Sequence, residues 1–311
     1  VNPTASDVRV DPVLTNMSIA YRNSMYIAEQ VWPIVQVDGM SGKYYIFDRG
    51  EWFRDEAQVR APGTASEGGG FTLSDDSYSC EEKAFHTLLA DEVRDNADAV
   101  LRMEAAKANY VTDKILLTLE KAVADKIMDT SNWDNDTTLS GTDQWSDYDN
   151  SDPIDDIVTG IEAVEDATGV PPNTMVLGLP TWRKLKHHPD ITDRMAVTNT
   201  RVSSLQILQE LVDIDRIYVG KALYNNAVRG ASDNFDHVWG KHCWIGVVPP
   251  SPALETPSAG YTFVWPRDGQ IRGIRRWRDE DHHSDKIEGF MCFDEKITAS
   301  ALGYMIENAV A

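Results

Sequence analysis

Apolar residues recur at helical spacing most persistently between residues 97 and 130, where Leu101, Ala105, Ala108, Ile115, Leu119 and Ala122 fall at steps of three, four or seven. Leu116, Val123 and Ile127 widen the stripe, and neither Pro nor Gly interrupts it. Asp95 or Asn96 can cap its start, and Asp98 suits the positive end of the helix dipole. At ~1.5 Å per residue the run extends roughly 50 Å, well beyond the usual helix, so it predicts a strut across a domain rather than one layer of a bundle. A second helix opens at Pro153 behind the cap Asp152, with Asp155 and Asp156 in its first turn. It buries Ile154, Ile157, Val158, Ile161 and Val164 and stops at Gly169.

Beyond Gly169 the pattern shortens. TMVLGL (174–179) reads as a buried strand, PTWRKLKH (180–187) as a short helix, and 203–214 as another helix with Ser203 and Gln206 in capping-box register. Strands are predicted at 216–220, 238–248, 261–265 and 270–277, with an exposed loop near 225–236. The closing stretch 285–309 reads as strand and rejoins the long helix. Between the two clear helices, residues 129–152 are rich in Asp, Asn, Ser and Thr, lose their periodicity and read as a loop. The fold class is therefore α+β.

The N-terminal third is different. Pro3, Pro12 and Pro33 break up residues 1–36, and only 17–31 could make a short helix. Val13, Leu14, Ile19, Tyr21, Tyr26, Ile27, Val31 and Trp32 make this segment too apolar for a free tail. It predicts an arm lying on another surface, either its own subunit's or a neighbour's. KYYIFDRGEWF (43–53) has the aromatic content of a strand, and FTLSDDSYSC (71–80) reads as its weaker partner across the flexible tip RAPGTASEGGG (60–70). The flanks of this long hairpin mix Asp48, Arg49, Glu51, Arg54, Asp55, Glu56, Arg60 and Glu67, a two-signed pattern suited to ion pairs with another chain. Isolated two-stranded hairpins are marginal in water, so the protrusion predicts a neighbour.

A chain of 311 residues with 42% hydrophobic content can bury one intricate domain or two modest ones. Trp52, Trp133, Trp145 and Trp277 sit in segments that otherwise read as polar, where an aromatic marks either a protein contact or packing under a loop. The net charge of −21 opposes general affinity for nucleic acid, which argues against a sequence-specific DNA-binding module. Cys80, Cys243 and Cys292 form no CxxC pair and predict free, mostly buried thiols. No stretch approaches the ~20 apolar residues needed to span a bilayer. The chain opens at Val1 rather than Met, which points to initiator removal, proteolytic maturation or omitted residues.

A search for chemistry finds no GxxxxGK[ST], GxGxxG after a strand, HExxH or GxSxG. Carboxylates in 129–152 lack the spacing of a calcium loop. Asp279, Glu280, Asp281, His282, His283 and Asp285 have the atom types of a metal site, but adjacent histidines on a strand face opposite ways, so a charged turn is the better reading. The same holds for His187 and His188. Arg272, Arg275, Arg276 and Arg278 form the only basic concentration; on a strand, Arg272, Arg276 and Arg278 share one face and Arg275 and Trp277 the other. Arginine forks suit carboxylates, so these residues predict pairing between subunits, with salt bridging inside one subunit as the alternative. No catalytic, cofactor-binding or metal-binding residue is expected.

Taken in order, the parts resemble tailed-bacteriophage major capsid proteins with the Hong Kong 97-type fold, over nearly the whole chain. NTMVLGLPTWRKLKHHPDI (173–191) and ITASALGYMIENAV (297–310) are similar to members of that family. The resemblance implies an N-terminal arm (1–36), an extended loop (37–84), a peripheral domain with a spine helix (85–152), an axial domain (153–266) and a return to the peripheral domain (267–311). It implies a structural subunit, not an enzyme, that self-assembles into an icosahedral head around double-stranded DNA in the virion, after assembly in the host cytoplasm. Implied partners are copies of itself in pentamers and hexamers, a separate scaffolding protein, a portal and a decoration protein, with no membrane and no cofactor.

In such shells the loop of one subunit lies over the next, which makes Trp52, Phe53, Arg54 and Arg60 expected intersubunit contacts and turns residues near 226–236 toward the capsomer axis. No long scaffolding segment precedes the arm, so either a protease removes it or a separate protein guides assembly. Lys43 lies near the loop, but nothing marks a partner Asn or catalytic Glu, so no covalent crosslink is expected. An encapsulin-like nanocompartment resembles the same fold but holds an enzyme cargo. From another class, a metal-dependent enzyme built on Asp281, His282 and His283 is the remaining alternative.

Overall fold

A computed structural model describes residues 9–10, 26–47, 49–95, 103–198, 204–252 and 256–311. In chain order the first third holds β1 (Arg9–Val10), α1 (Ala28–Val31), β2 (Ile34–Gln36), β3 (Ser41–Phe47), α2 (Arg49–Trp52), β4 (Leu73–Ser79), β5 (Glu81–Ala90) and α3 (Asp91–Asp95). The middle holds α4 (Met103–Ile127), β6 (Asn135–Thr138), α5 (Pro153–Thr168), β7 (Thr174–Gly178), α6 (Leu179–Leu185), α7 (Pro189–Thr198), α8 (Ser204–Val212) and β8 (Arg216–Gly220). The last third is nearly all strand: β9 (Leu223–Asn225), β10 (Phe235–His237), β11 (Cys243–Gly246), β12 (Gly260–Val264), β13 (Arg272–Asp279), β14 (Ser284–Ile297) and β15 (Gly303–Glu307).

Two sheets organise these elements. The fourteen-residue β14 is the trunk of the first: β13 and β12 pair with it antiparallel, β5 pairs with it antiparallel, and β1 and β2 are added at the outer edges. The second runs β6-β15-β11-β7-β8, with β7 parallel to β8 and β15 parallel to β6. Residues 267–311 are thus divided between the sheets, β13 and β14 in one and β15 in the other. The helix α4 lies across the first sheet, where Ala108 and Val111 pack on Ile274 and Ile287. Its second half joins α5, β7 and β11 in the main core, through Leu119, Val123, Ile157, Met175 and Trp244.

Local chemistry explains the boundaries. The Asp152 carboxylate accepts the Asp155 N–H at 3.1 Å and Pro153 sits where a missing N–H costs nothing. Gly169 closes α5 at φ 68°, a left-handed conformation that a side chain would strain. The buried strand β7 and short helix α6 follow as the sequence predicts.

Several expectations need correction. The long helix ends at Ile127 rather than Thr130; its expected start at Ala97 lies outside the described residues, and the 25 residues from Met103 extend about 37 Å at ~1.5 Å each. Asp95 is the last residue of α3, while Asn96, Ala97, Asp98, Leu101 and Ser203 lie outside the described residues. The polar segment 129–152 is not all loop: β6 pairs with β15 through the backbone, so its NDTT side chains need not be apolar. Trp133 and Trp145 are core residues, not surface anchors, with their indole N–H groups given to Ile127 O at 2.8 Å and Asp156 Oδ2 at 2.7 Å. The first hairpin strand stops at Phe47 and α2 replaces its continuation, the strand expected at 238–248 shrinks to β11, and α7 had no sequence prediction.

The described pieces of the arm lie on their own subunit. Val10 pairs with Arg275 on β13, Tyr26 donates to Asp113 Oδ1 on α4 at 3.0 Å, and β2 runs parallel to β12. Trp32 is fully buried.

Candidate assembly surfaces

The hairpin of β3 and β4 is paired through seven cross-strand positions, from Ser41 opposite Ser79 to Phe47 opposite Leu73. Its root packs on the body. There Tyr44 and Tyr78 stack on Phe263 of β12, with ring centroids 5.4 and 4.9 Å away, and Ser79 N–H donates to Asp294 Oδ2 at 2.8 Å. The Tyr44 hydroxyl donates to Asp76 at 2.8 Å, and burial together with that carboxylate raises its pKa. Cys80 and Cys292 fill the space beneath; burial pushes the Cys80 thiol up to about 11, so it is a packing residue rather than a nucleophile. All three cysteines are free and buried.

Outward from the root the hairpin is mostly exposed, with the Phe53 ring resting beside Gly169 of its own subunit. Lys43 pairs with Asp75 at 2.7 Å across the strands, and Glu51 accepts the Thr72 backbone N–H and hydroxyl, which closes the neck of the tip. Arg60 donates to Thr64 O at 3.1 Å around a turn containing Gly63. Every described side chain from Phe53 to Ser77 is exposed. Tyr45 is 72% exposed, Phe53 67% and Phe71 58%, and Val59 and Leu73 are exposed beside them. Exposed apolar surface of this kind is a common property of interaction sites.

The sequence-predicted contact residues divide into two groups. Phe53, Arg54 and Arg60 lie on this protrusion: Phe53 leans over the cap of α5, where a Cβ added to Gly169 would sit 3.3 Å from its ring, and Arg54 lies 3.8 Å from Glu56. Trp52 ends α2 at the same place, its side chain outside the described residues. The arginines of β13, by contrast, are engaged within the chain. Arg272 meets Glu29 of α1 at 2.6 Å; Arg276 forks onto Glu104 of α4 at 3.1 and 3.2 Å and reaches Asp285 at 2.9 Å; Arg278 forks onto Asp91 at 2.7 and 2.5 Å. Paired forks of this kind are geometrically specific. On the opposite face Arg275 lies 3.8 Å over the Phe290 ring between Glu82 and Glu288, as the strand alternation predicts.

A second exposed feature is the short hairpin of β9 and β10. Its loop is tied by Asn225, which donates to Asp233 at 2.7 Å and accepts the Ala227 and Asn234 N–H groups at 3.0 Å, and it displays Leu223, Val228 and Phe235. At the end of β13, Asp279 is taken up by Lys286 at 2.8 Å and His282 at 3.1 Å, which hold its carboxyl down to about 2. Among the described residues no group of three or more His, Cys, Asp or Glu side chains could hold a metal ion. Sequence reading missed Tyr44, Tyr78 and Phe263 as the root of the hairpin. Their only signal was an aromatic at each strand's inner end.

No family model matches the chain. It is 29% identical to the major capsid protein of Pseudomonas phage JBD67, with 97% of each chain covered, and 28% identical to that of Burkholderia phage BcepMu over 82% of this chain and 83% of the relative. A phage-related protein from Bordetella bronchiseptica superposes with a TM-score of 0.75 at 26% identity, covering 97% of this chain and 98% of that one. The capsid structure of cyanophage P-SCSP1u shares the fold at a TM-score of 0.59 and 11% identity, over 99% and 92% of the two chains. Arm, projecting hairpin, long helix and paired sheets therefore make up the Hong Kong 97-type fold of shell-building proteins. With these sequence relatives, the chain is a tailed-phage major capsid protein, a structural component of the virion capsid that associates with its own copies and not an enzyme.

Proposed function

We propose that the chain builds the icosahedral phage head as pentamers and hexamers around double-stranded DNA, with the β3–β4 hairpin of each subunit laid across the next. The observation that carries this reading is the apolar edge of that hairpin, Tyr45, Phe53, Val59, Phe71 and Leu73, each exposed to half its surface or more. Trp52, Phe53, Arg54 and Arg60 would meet the neighbour there. Arg272, Arg276 and Arg278 act first as braces inside each subunit, fixing α1, α3 and α4 to β13; a contact between subunits at these positions would add to those pairs. The arm corresponds to 1–36, the extended loop to 37–84, the peripheral domain to 85–152 and 267–311, and the axial domain to 153–266, with β6 and β15 lent to the axial sheet. The β9–β10 hairpin then faces the capsomer axis. A scaffolding protein, a portal and a decoration protein complete the set of partners, and the acidic surface suits a wall that does not adhere to DNA.

A nanocompartment shell shares the fold, but the sequence relatives named above are phage major capsid proteins, which favours the head. Particles isolated by density gradient and treated with nuclease before their contents are extracted decide between them. Protected DNA supports the head, a packaged enzyme without DNA supports the compartment, and the absence of any particle overturns both.

A further inference from the structure

Glu120 is the one charged side chain of α4 that is fully buried, at 0% exposure. No cation meets it. Its carboxylate instead accepts the Ile27 N–H at 3.1 and 2.9 Å, the Ala28 N–H at 2.7 Å and the Trp239 indole N–H at 2.6 Å. Three donors from two distant parts of the chain thus converge on one side chain. Ile27 and Ala28 are where the arm enters α1, and Trp239 is in the turn between β10 and β11. Burial raises the Glu120 pKa against the pull of these donors. The nearest charge on the arm side, Glu29, is itself held by Arg272 at 2.6 Å.

The Trp239 turn has little freedom to absorb a change. A Cβ at Gly220 would collide with the Trp239 ring, and one at Gly178 would sit 3.0 Å from Trp239 O, so the turn is wedged against the ends of β7 and β8. Val238 N–H donates to Ala222 O at 3.0 Å and Gly240 N–H to His237 O at 3.1 Å. His237 is the last residue of β10. A displacement at Trp239 therefore reaches the β9–β10 hairpin within two residues.

We propose that Glu120 is a buried latch that couples docking of the N-terminal arm to the position of the Trp239 turn and, through it, to the exposed β9–β10 hairpin. The physical basis is shared satisfaction of one carboxylate. When one donor is withdrawn, the remaining anion is less well compensated in its buried site, and opening that site to water becomes easier. Loss of either partner loosens the other, and the effect is reciprocal because it is a coupling free energy between two sites.

Hydrogen–deuterium exchange on the full chain tests the latch with three conservative variants. Trp239→Phe keeps the ring and removes the indole donor; Tyr26→Phe keeps the ring and removes the bond to Asp113; Glu120→Gln replaces one acceptor oxygen by a donor. Trp239→Phe should speed exchange in the arm (26–36), and Tyr26→Phe in 223–242, each by at least about twofold, the lower end of coupling carried by such networks. Glu120→Gln should loosen both segments, while β7 is unchanged in all three. Variants whose effects stay within their own segment overturn the proposal, and so does uniform acceleration that includes β7.

Discussion

Tyr78 stacks on Phe263 at a centroid distance of 4.9 Å and an interplanar angle of 15°, and this pair fixes where the projecting hairpin leaves the body of the subunit. Phe263 belongs to β12, is buried, and also receives Tyr44 from the other strand. Phe263→Ala should cost about 3–5 kcal/mol through lost burial and the cavity left behind. Urea unfolding monitored by circular dichroism measures it, and a loss below about 1 kcal/mol would mean that the root is not held by this packing.

Deleting residues 60–70 removes only exposed tip. The unfolding free energy should change by no more than about 0.5 kcal/mol, as for other surface changes, while assembly into shells is lost. Sedimentation velocity and urea unfolding on the same preparation check both halves. A deleted chain that assembles normally contradicts the role given to the loop.

Asp152→Ala should lower stability by about 1 kcal/mol, the usual cost of an N-cap that leaves a backbone N–H unmet. Asp152→Asn should recover most of it, since the amide oxygen can accept the same Asp155 N–H. Thermal denaturation of the two variants reports the difference.

Glu120 gives a pH dependence of definite sign. Its folded-state pKa lies above the ordinary 4.5 because burial disfavours the anion, so the folded chain binds this proton more tightly than the unfolded chain. Its favourable contribution is present in acid below 4.5 and is lost as pH rises through the folded-state value. The stability of wild type relative to Glu120→Gln should therefore fall as pH rises from 4.5 toward neutrality. Urea midpoints of both proteins across that window test this, and a constant difference contradicts it.

How much of this was legible in the sequence depends on whether side-chain pattern or backbone pairing made the element. Helix α5 was legible because Asp152, Pro153 and Gly169 punctuate it and its apolar spacing is helical. The projecting hairpin was legible from two aromatic strands around a Gly-rich tip. Strand β6 was not, because NDTT joins the sheet through backbone bonds to β15 and leaves no apolar alternation. Trp133 and Trp145 looked exposed because the residues around them are polar, yet each ring turns inward while its N–H finds an acceptor. The destination of the arm was hidden for a similar reason. Its docking site is a carboxylate on the buried side of α4, and a charged residue there reads as an interruption of the stripe rather than as an anchor.

Electron cryomicroscopy of particles assembled from the purified chain tests the central claim most directly. Density should show closed icosahedral shells in which the β3–β4 hairpin of each subunit crosses its neighbour, with Phe53, Arg54 and Arg60 covered by that contact. A chain that stays monomeric at high concentration, or shells in which the hairpin folds back onto its own subunit, would contradict it.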